Sequence, residues 1–287
     1  MSRIKYPAFF TIIMMALAFS SSAPSIANTK GPSKIISLSP SATEDLFAIG
    51  AGSQILAVSS DSNYPTNAPK SNLDAFSPNI EGIAAMKPDL VILNSGATKA
   101  SAVRAGLLKL KIPVYFEVAP NNISDVYAEI TALGNATGRL DESKKLIFKM
   151  KREIANYIKG AKSKLPLTFF HELDNTFYSV TSKTFIGHVY SDFNLKNVAD
   201  AAIGADSSGY PQLTPEYLLA ANPAIIFLAD AQYGENLATV SARPGWSMIA
   251  AVKNSQILSL PADYPSRWGP RLVDFYKFVA KSISNIK

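Results

Sequence analysis

With 287 residues and 47% hydrophobic side chains, the chain has apolar material for one large or two medium cores, which excludes a disordered or low-complexity protein. The absence of cysteine excludes disulfides, thiolate metal sites and cysteine nucleophiles together, and only two histidines, His171 and His188, argue against a multi-histidine metal centre. The formal charge of +6 is carried by scattered lysines and a cluster over 144–164, with no basic stripe interleaved with aromatics, so nucleic acid is not an expected partner.

At the N-terminus, Arg3 and Lys5 precede an apolar stretch, 8–19, interrupted only by Thr11, and Ser25-Ile26-Ala27 offers small residues for cleavage. The pattern predicts a cleavable signal peptide over 1–27, because the apolar run is shorter than the roughly 20 residues a spanning helix needs. A mature chain is expected to begin near Asn28 and to be soluble in the periplasm. Loss of Arg3 and Lys5 takes its charge from +6 to +4. Without cysteine it is not expected to be a lipoprotein.

Residues 34–38 read as an apolar strand, followed by a helix with Ser41 and Glu44 as a capping box and Gly50 as its stop. Residues 55–59 form a second strand, and strand, capped helix, strand is the order of a parallel sheet. Loops at strand ends bind ligands in such sheets, which makes the Pro40 loop and the loop after Ser59 candidate site walls. Helices are expected over 100–110 and 123–133, with a strand at 114–118 between them. Over 141–161, Leu146, Ile147, Met150, Ile154 and Ile158 recur at helical spacing with charges between them. This rod of roughly 30 Å is read as the connector between two lobes, its lysines forming a solvated face. The second half is expected to hold strands at 165–172 and 257–260 and helices at 185–193 and 272–283.

One unit is written twice. Residues 79–94 give a short helix, a turn at Lys87-Pro88-Asp89 and an apolar strand, and residues 214–230 repeat the arrangement. Glu81 lies six residues before Lys87, and Glu216 lies six before Asn222. The fold class expected is therefore α/β, as two similar lobes with short parallel sheets bridged by one long helix, divided as 34–138, 141–163 and 165–287.

No G-x-S-x-G, Walker loop or H-E-x-x-H is present, and Gly50-Ala51-Gly52 follows a helix and lacks a third glycine, so no catalytic residue is assigned. Loops at expected strand ends do share aromatic side chains: Tyr64, Phe76, Tyr178, Tyr210, Tyr264 and Trp268. Converging on one cleft, they would make a stacking surface for a large flat ligand. Asp263 and Arg267, four apart, would supply polar contacts to it. Glu81 and Glu216 suit the positive end of a helix dipole. Their recurrence would also place one carboxylate on each lobe, an arrangement for docking onto a symmetric partner bearing arginines. His171 and His188 read as structural residues.

The stretches LSPSATEDLFAIGA, SDSNYP, NIEGIAAMKPDLVI, YPQLTPEYLLAANPAIIFL and DYPSRWGPRL resemble the class III periplasmic substrate-binding proteins of ABC importers, and among them the vitamin B12 (cobalamin) binding proteins. The resemblance covers nearly all of the chain from about Lys34. It implies two Rossmann-like lobes joined by a single long backbone helix, a cobalamin ligand held between them, and no other cofactor and no metal site. It puts Pro40, Tyr64, Tyr178, Tyr210, Asp263 and Arg267 at ligand-contacting positions, with Phe76 beside them. It casts Glu81 and Glu216 as the pair that docks a monomeric receptor onto the importer's permease dimer. Ala75 stands where the cobalamin binders carry a tryptophan, and so does Tyr210. Haem and ferric siderophores are the alternative cargoes of the same fold. An exported α/β hydrolase-type enzyme using Glu172, His171 and an acid from the other lobe is the alternative from another class.

Overall fold

A computed structural model describes residues 31–97, 99–161, 167–202, 208–284 and 286. The expected signal peptide and cleavage site lie outside the described residues, as do the end of the connector at 162–163 and the start of the strand expected at 165.

The first sheet is built from β1 (Ile35–Leu38), β2 (Ile55–Val58), β3 (Leu90–Asn94) and β4 (Val114–Glu117), all parallel in the order β2-β1-β3-β4. The second repeats it with β5 (Thr168–Glu172), β6 (Lys196–Asn197), β7 (Ile225–Leu228) and β8 (Ile257–Ser259), parallel in the order β6-β5-β7-β8. The helices are α1 (Pro40–Ala48), α2 (Ile80–Ala85), α3 (Ala100–Lys109), α4 (Ile123–Thr137), α5 (Leu140–Ala161), α6 (Phe185–Asp192), α7 (Pro215–Ala221), α8 (Leu237–Ser241), α9 (Ala250–Lys253), α10 (Asp263–Ser266) and α11 (Leu272–Ser284). This is the expected α/β architecture.

The strands are apolar on both faces because each face meets a different core. Ile35 and Ile92 point into a central cluster with Phe169, Ile225 and Phe227 of the second sheet, while Ile36, Leu38, Val91 and Leu93 meet Val103 and Leu107 of α3 on the outside. In the second sheet Phe170, Ile226 and Leu228 face outward onto Leu218, Val240 and Trp246. The central cluster also holds Met150 and Ile154 of α5 and Phe275 and Val279 of α11, so both sheets pack onto one apolar interior. At about 1.5 Å per residue, the 22 residues of α5 span about 33 Å, packed on α4 of one lobe and α11 of the other.

The repeated unit is also a conformational repeat. Asn79 caps α2 by accepting from Gly82 N at 3.0 Å, and Thr214 caps α7 by accepting from Tyr217 N at 3.2 Å. The turn residues Lys87 and Asn222 both adopt the left-handed region, at φ 51° and 45°. Each is followed by a proline, which cannot extend the helix.

Two details differ from the sequence reading. Ser41 and Glu44 do not form a capping box. Ser39 caps α1, accepting from Ala42 N at 3.3 Å, because Pro40 lacks an N–H and fits the first helical position. Helix α4 runs through Gly134 to Thr137, where a Cβ on Gly134 would lie 2.5 Å from Ser143 Oγ. Glycine there lets α4 and α5 cross closely rather than ending the helix.

Candidate functional site

In parallel sheets the loops at the carboxyl ends of the strands frame the binding crevice, and here those loops from both lobes face one another. A cavity of about 620 Å³ is lined by Ala119, Pro120 and Asn121 after β4, Leu173 after β5, Ala229 after β7, and Ala262, Pro265 and Trp268 after β8. The start of α6 forms its second wall through Lys183, Thr184, Phe185 and Ile186, and Ser208, Tyr210, Gln232 and Tyr233 complete it. Helix α6 reaches this position because Gly187 has no side chain: a Cβ there would lie 2.1 Å from Thr181 O. Thr184 caps α6 by accepting from Gly187 N at 3.0 Å.

Of the residues singled out from sequence, Tyr210 and Trp268 line this cavity. Asp263 and Arg267 are not in its lining, although their neighbours Ala262, Pro265, Ser266 and Trp268 along α10 and its ends are. Their carboxylate and guanidinium are 3.6 Å apart. Tyr64 lies in a neighbouring pocket of about 370 Å³ with Glu44, Phe47 and Arg271, and the Arg271 guanidinium sits 4.6 Å from its ring centroid. Pro40 is buried at the first turn of α1. Phe76 and Tyr178 are 61% and 41% exposed and lie outside the cavity lining, Tyr178 pairing with Gln212 in an isolated antiparallel bridge. Tyr264 does not join the cleft: it packs on Phe278 at 6.5 Å against the central core, because α10 turns it inward. Glu81 and Glu216 are exposed in the first turns of α2 and α7, which precede the matching third strands of the two sheets.

Sequence reasoning missed the side chains that tie the lobes together. Arg271 donates to Glu44 through Nε at 2.8 Å and Nη2 at 2.5 Å, and through Nη1 to Asp263 at 3.2 Å. Asp263 also accepts from Asn63 at 3.1 Å. Trp268 N donates to Ser41 Oγ at 3.1 Å, and the His188 ring nitrogen Nδ1 donates to Asn121 O at 2.9 Å. Five of these six bonds join residues far apart in sequence, and the only local clue was the spacing of Asp263, Arg267 and Arg271.

Buried acids flank this seam. Asp45 is fully buried against Gly269 with both oxygens unpartnered, and burial first, then Glu117 and Glu129, holds its carboxyl well above the usual range. Burial also pushes Glu117, at the end of β4, up to about 8, partly offset by a bond from Ser39. In the second lobe burial raises Glu172 to about 7, although Arg243 clasps it at 2.6 and 2.5 Å and also reaches Glu235 at 2.7 Å. His171 is fully buried, shares a 2.9 Å bond with Tyr190 OH and is lowered to about 3 by burial. His171 and Glu172 are thus committed to the interior and to Arg243, away from the cavity. The described residues include no group of acids and histidines arranged to hold a metal ion.

This geometry, a crevice between two equivalent parallel sheets on a shared core, is what the comparisons with known proteins also give. The sequence pattern described as periplasmic binding protein matches residues 35–264. The chain belongs to that family. A substrate-binding protein is what the family fold makes of it, and not an enzyme. The chain is 31% identical over 261 residues to the uncharacterized ABC transporter substrate-binding lipoprotein YvrC of Bacillus subtilis, covering 88% of this chain and 81% of that one. It is 28% identical over 269 residues to the vitamin B12-binding protein of Vibrio cholerae, covering 92% and 94% of the two chains. Among solved structures, a possible iron-binding (periplasmic solute-binding) protein of Staphylococcus epidermidis superposes with a TM-score of 0.78 at 26% identity, over 88% of this chain and 99% of that one. Members of the family are the substrate-binding components of ABC importers, so a membrane permease is the partner in kind. No helix among the described residues is long and apolar enough to cross a membrane.

Proposed function

We propose that this member of the periplasmic binding protein family captures cobalamin or a related corrinoid between its lobes and delivers it to an ABC importer. The observation that carries the reading is the crevice between the sheets' carboxyl edges, where Tyr210 and Trp268 offer aromatic faces among apolar and polar side chains such as Phe185, Asn121 and Gln232, as a bulky flat ligand with polar substituents requires. The relative named for vitamin B12 binding supports the choice of ligand. Tyr64, Pro40, Phe76, Tyr178, Asp263 and Arg267 are the further ligand contacts proposed. Phe76 and Tyr178 would meet parts of the ligand that project beyond the cavity.

Glu81 and Glu216 are proposed to dock onto permease arginines. Each sits at the start of a helix that runs antiparallel to its sheet, so both stand at the edge that frames the crevice. The same proposal makes residues 1–27 a cleavable signal peptide and the mature protein a periplasmic monomer without a lipid anchor.

Calorimetric titration of the mature protein with cyanocobalamin tests the reading. Saturable heat with a thermal shift at micromolar ligand is expected, and the absence of both removes the corrinoid. The second reading is an iron chelate, haem or a ferric siderophore, favoured by the likeness to the Staphylococcus structure and by the phenols of Tyr210 and Tyr233 on the cavity wall. A ligated haem band in the absorbance spectrum after mixing would decide for haem.

A further inference from the structure

Among the described side chains lining the crevice, only Lys183 carries a formal charge. It is exposed directly before α6 and takes part in no ion pair among the described residues. Several of the charges near the crevice are paired elsewhere. Asp263 and Arg267 belong to a four-member cluster with Glu44 and Arg271, two acids against two cations. Glu172 and Glu235 share Arg243. Asp200, near in the fold, accepts from Ser182 N at 2.7 Å and Ser182 Oγ at 2.6 Å rather than from Lys183.

We infer that Lys183 recognises an anionic substituent, a carboxylate or a phosphate, on the flat ligand that the crevice takes. This rests on the proposal that the crevice binds a macrocycle. An ammonium on a flexible stem is a compact point charge with three donors, suited to a group that projects from a ring edge while Tyr210 and Trp268 meet its faces. A neutral ligand would cover part of the Lys183 ammonium without compensating it, and specificity follows from that difference. Two ligand families present such a group: the cobalamin nucleotide through its phosphodiester, and haem through its propionates.

The test is a titration of the mature wild type, Lys183→Ala and Lys183→Glu with two matched pairs. One pair is cyanocobalamin and dicyanocobinamide, which lacks the phosphodiester. The other is haem and haem dimethyl ester, whose propionates are blocked. Within the pair that binds, wild type prefers the anionic member by about tenfold or more, the scale of one charge-assisted hydrogen bond. Lys183→Ala erases the preference, and Lys183→Glu inverts it. In wild type the preference shrinks as salt rises. Equal affinity for the two members, or a preference that survives in both variants, overturns the role of Lys183 and leaves the macrocycle reading standing. Failure of wild type to bind any of the four ligands overturns the reading of the crevice, and the inference with it.

Discussion

Glu44 and Arg271, 227 positions apart, meet in a two-pronged ion pair that fastens the first helix of one lobe to the residue just before the helix that closes the other. The carboxylate side is almost wholly buried, at 1% exposure, and the guanidinium is at 15%. A buried pair of this kind adds little over an apolar substitute, but losing one partner strands the other's charge.

Arg271→Ala is therefore expected to cost roughly 3–5 kcal/mol of unfolding free energy near neutral pH, read from urea melts. The loss should shrink on acidification, because Glu44, already raised by burial, can then take up a proton. A cost that stays the same at low pH would mean the stranded charge is not its origin.

Stability should fall as pH rises from 6.5 to 8. Glu117 is raised to about 8 from an ordinary 4.5, and Asp45 is raised well above its own value. Both hold protons in the folded chain that the unfolded chain has released, so folding is progressively penalised until the folded groups ionise. His171, lowered to about 3 by burial, works the other way, but only below the unfolded histidine value of about 6.5. Glu117→Gln should flatten the slope over that window by up to roughly 1.4 kcal/mol per pH unit, measured as the urea midpoint at several pH values.

Trp268→Ala and Tyr210→Ala should each weaken binding of the macrocycle by at least about tenfold, since each removes a large apolar face from the crevice. Phe148→Ala, at a side chain 68% exposed on α5, should leave the affinity unchanged. Isothermal titration of the three variants separates the crevice from general surface aromatics.

The double variant Glu81→Arg with Glu216→Arg should keep ligand affinity and abolish uptake in cells that depend on the importer. Persistent uptake would reduce both acids to helix-dipole partners of their own first turns, worth about 0.3–1 kcal/mol each.

Gly187→Ala should destabilise the chain by about 1–3 kcal/mol, because the added methyl would be driven into the Thr181 carbonyl. The same displacement of α6 moves one wall of the crevice, so ligand affinity should fall with the thermal midpoint.

Much of this architecture was legible in the residues. The runs at 35–38 and 225–228 are apolar throughout because a core lies on each side of them, and the twin acid-helix-turn-strand units announced two equivalent lobes. Local rules failed where neighbours distant in sequence decided the outcome. Glu44 follows Ser41 at capping-box spacing, yet Pro40 gave Ser39 the cap and Arg271 claimed the acid. Tyr264 and Trp268 lie four apart, but α10 turns the first onto Phe278 and leaves the second in the crevice. Lys183 carried no sequence pattern at all, and it stands out only once the fold sets it in the crevice wall while Asp263, Arg267, Glu44 and Arg271 pair with one another.

The single apolar interior that joins Ile35, Met150, Phe169 and Phe275 makes the two halves of the molecule mutually dependent for their existence. A gene fragment ending anywhere within α5 would encode a half whose oily flank has lost its cover, and it would be recovered as aggregate. Heated intact, the receptor should melt in one cooperative step, with neither half outliving the other.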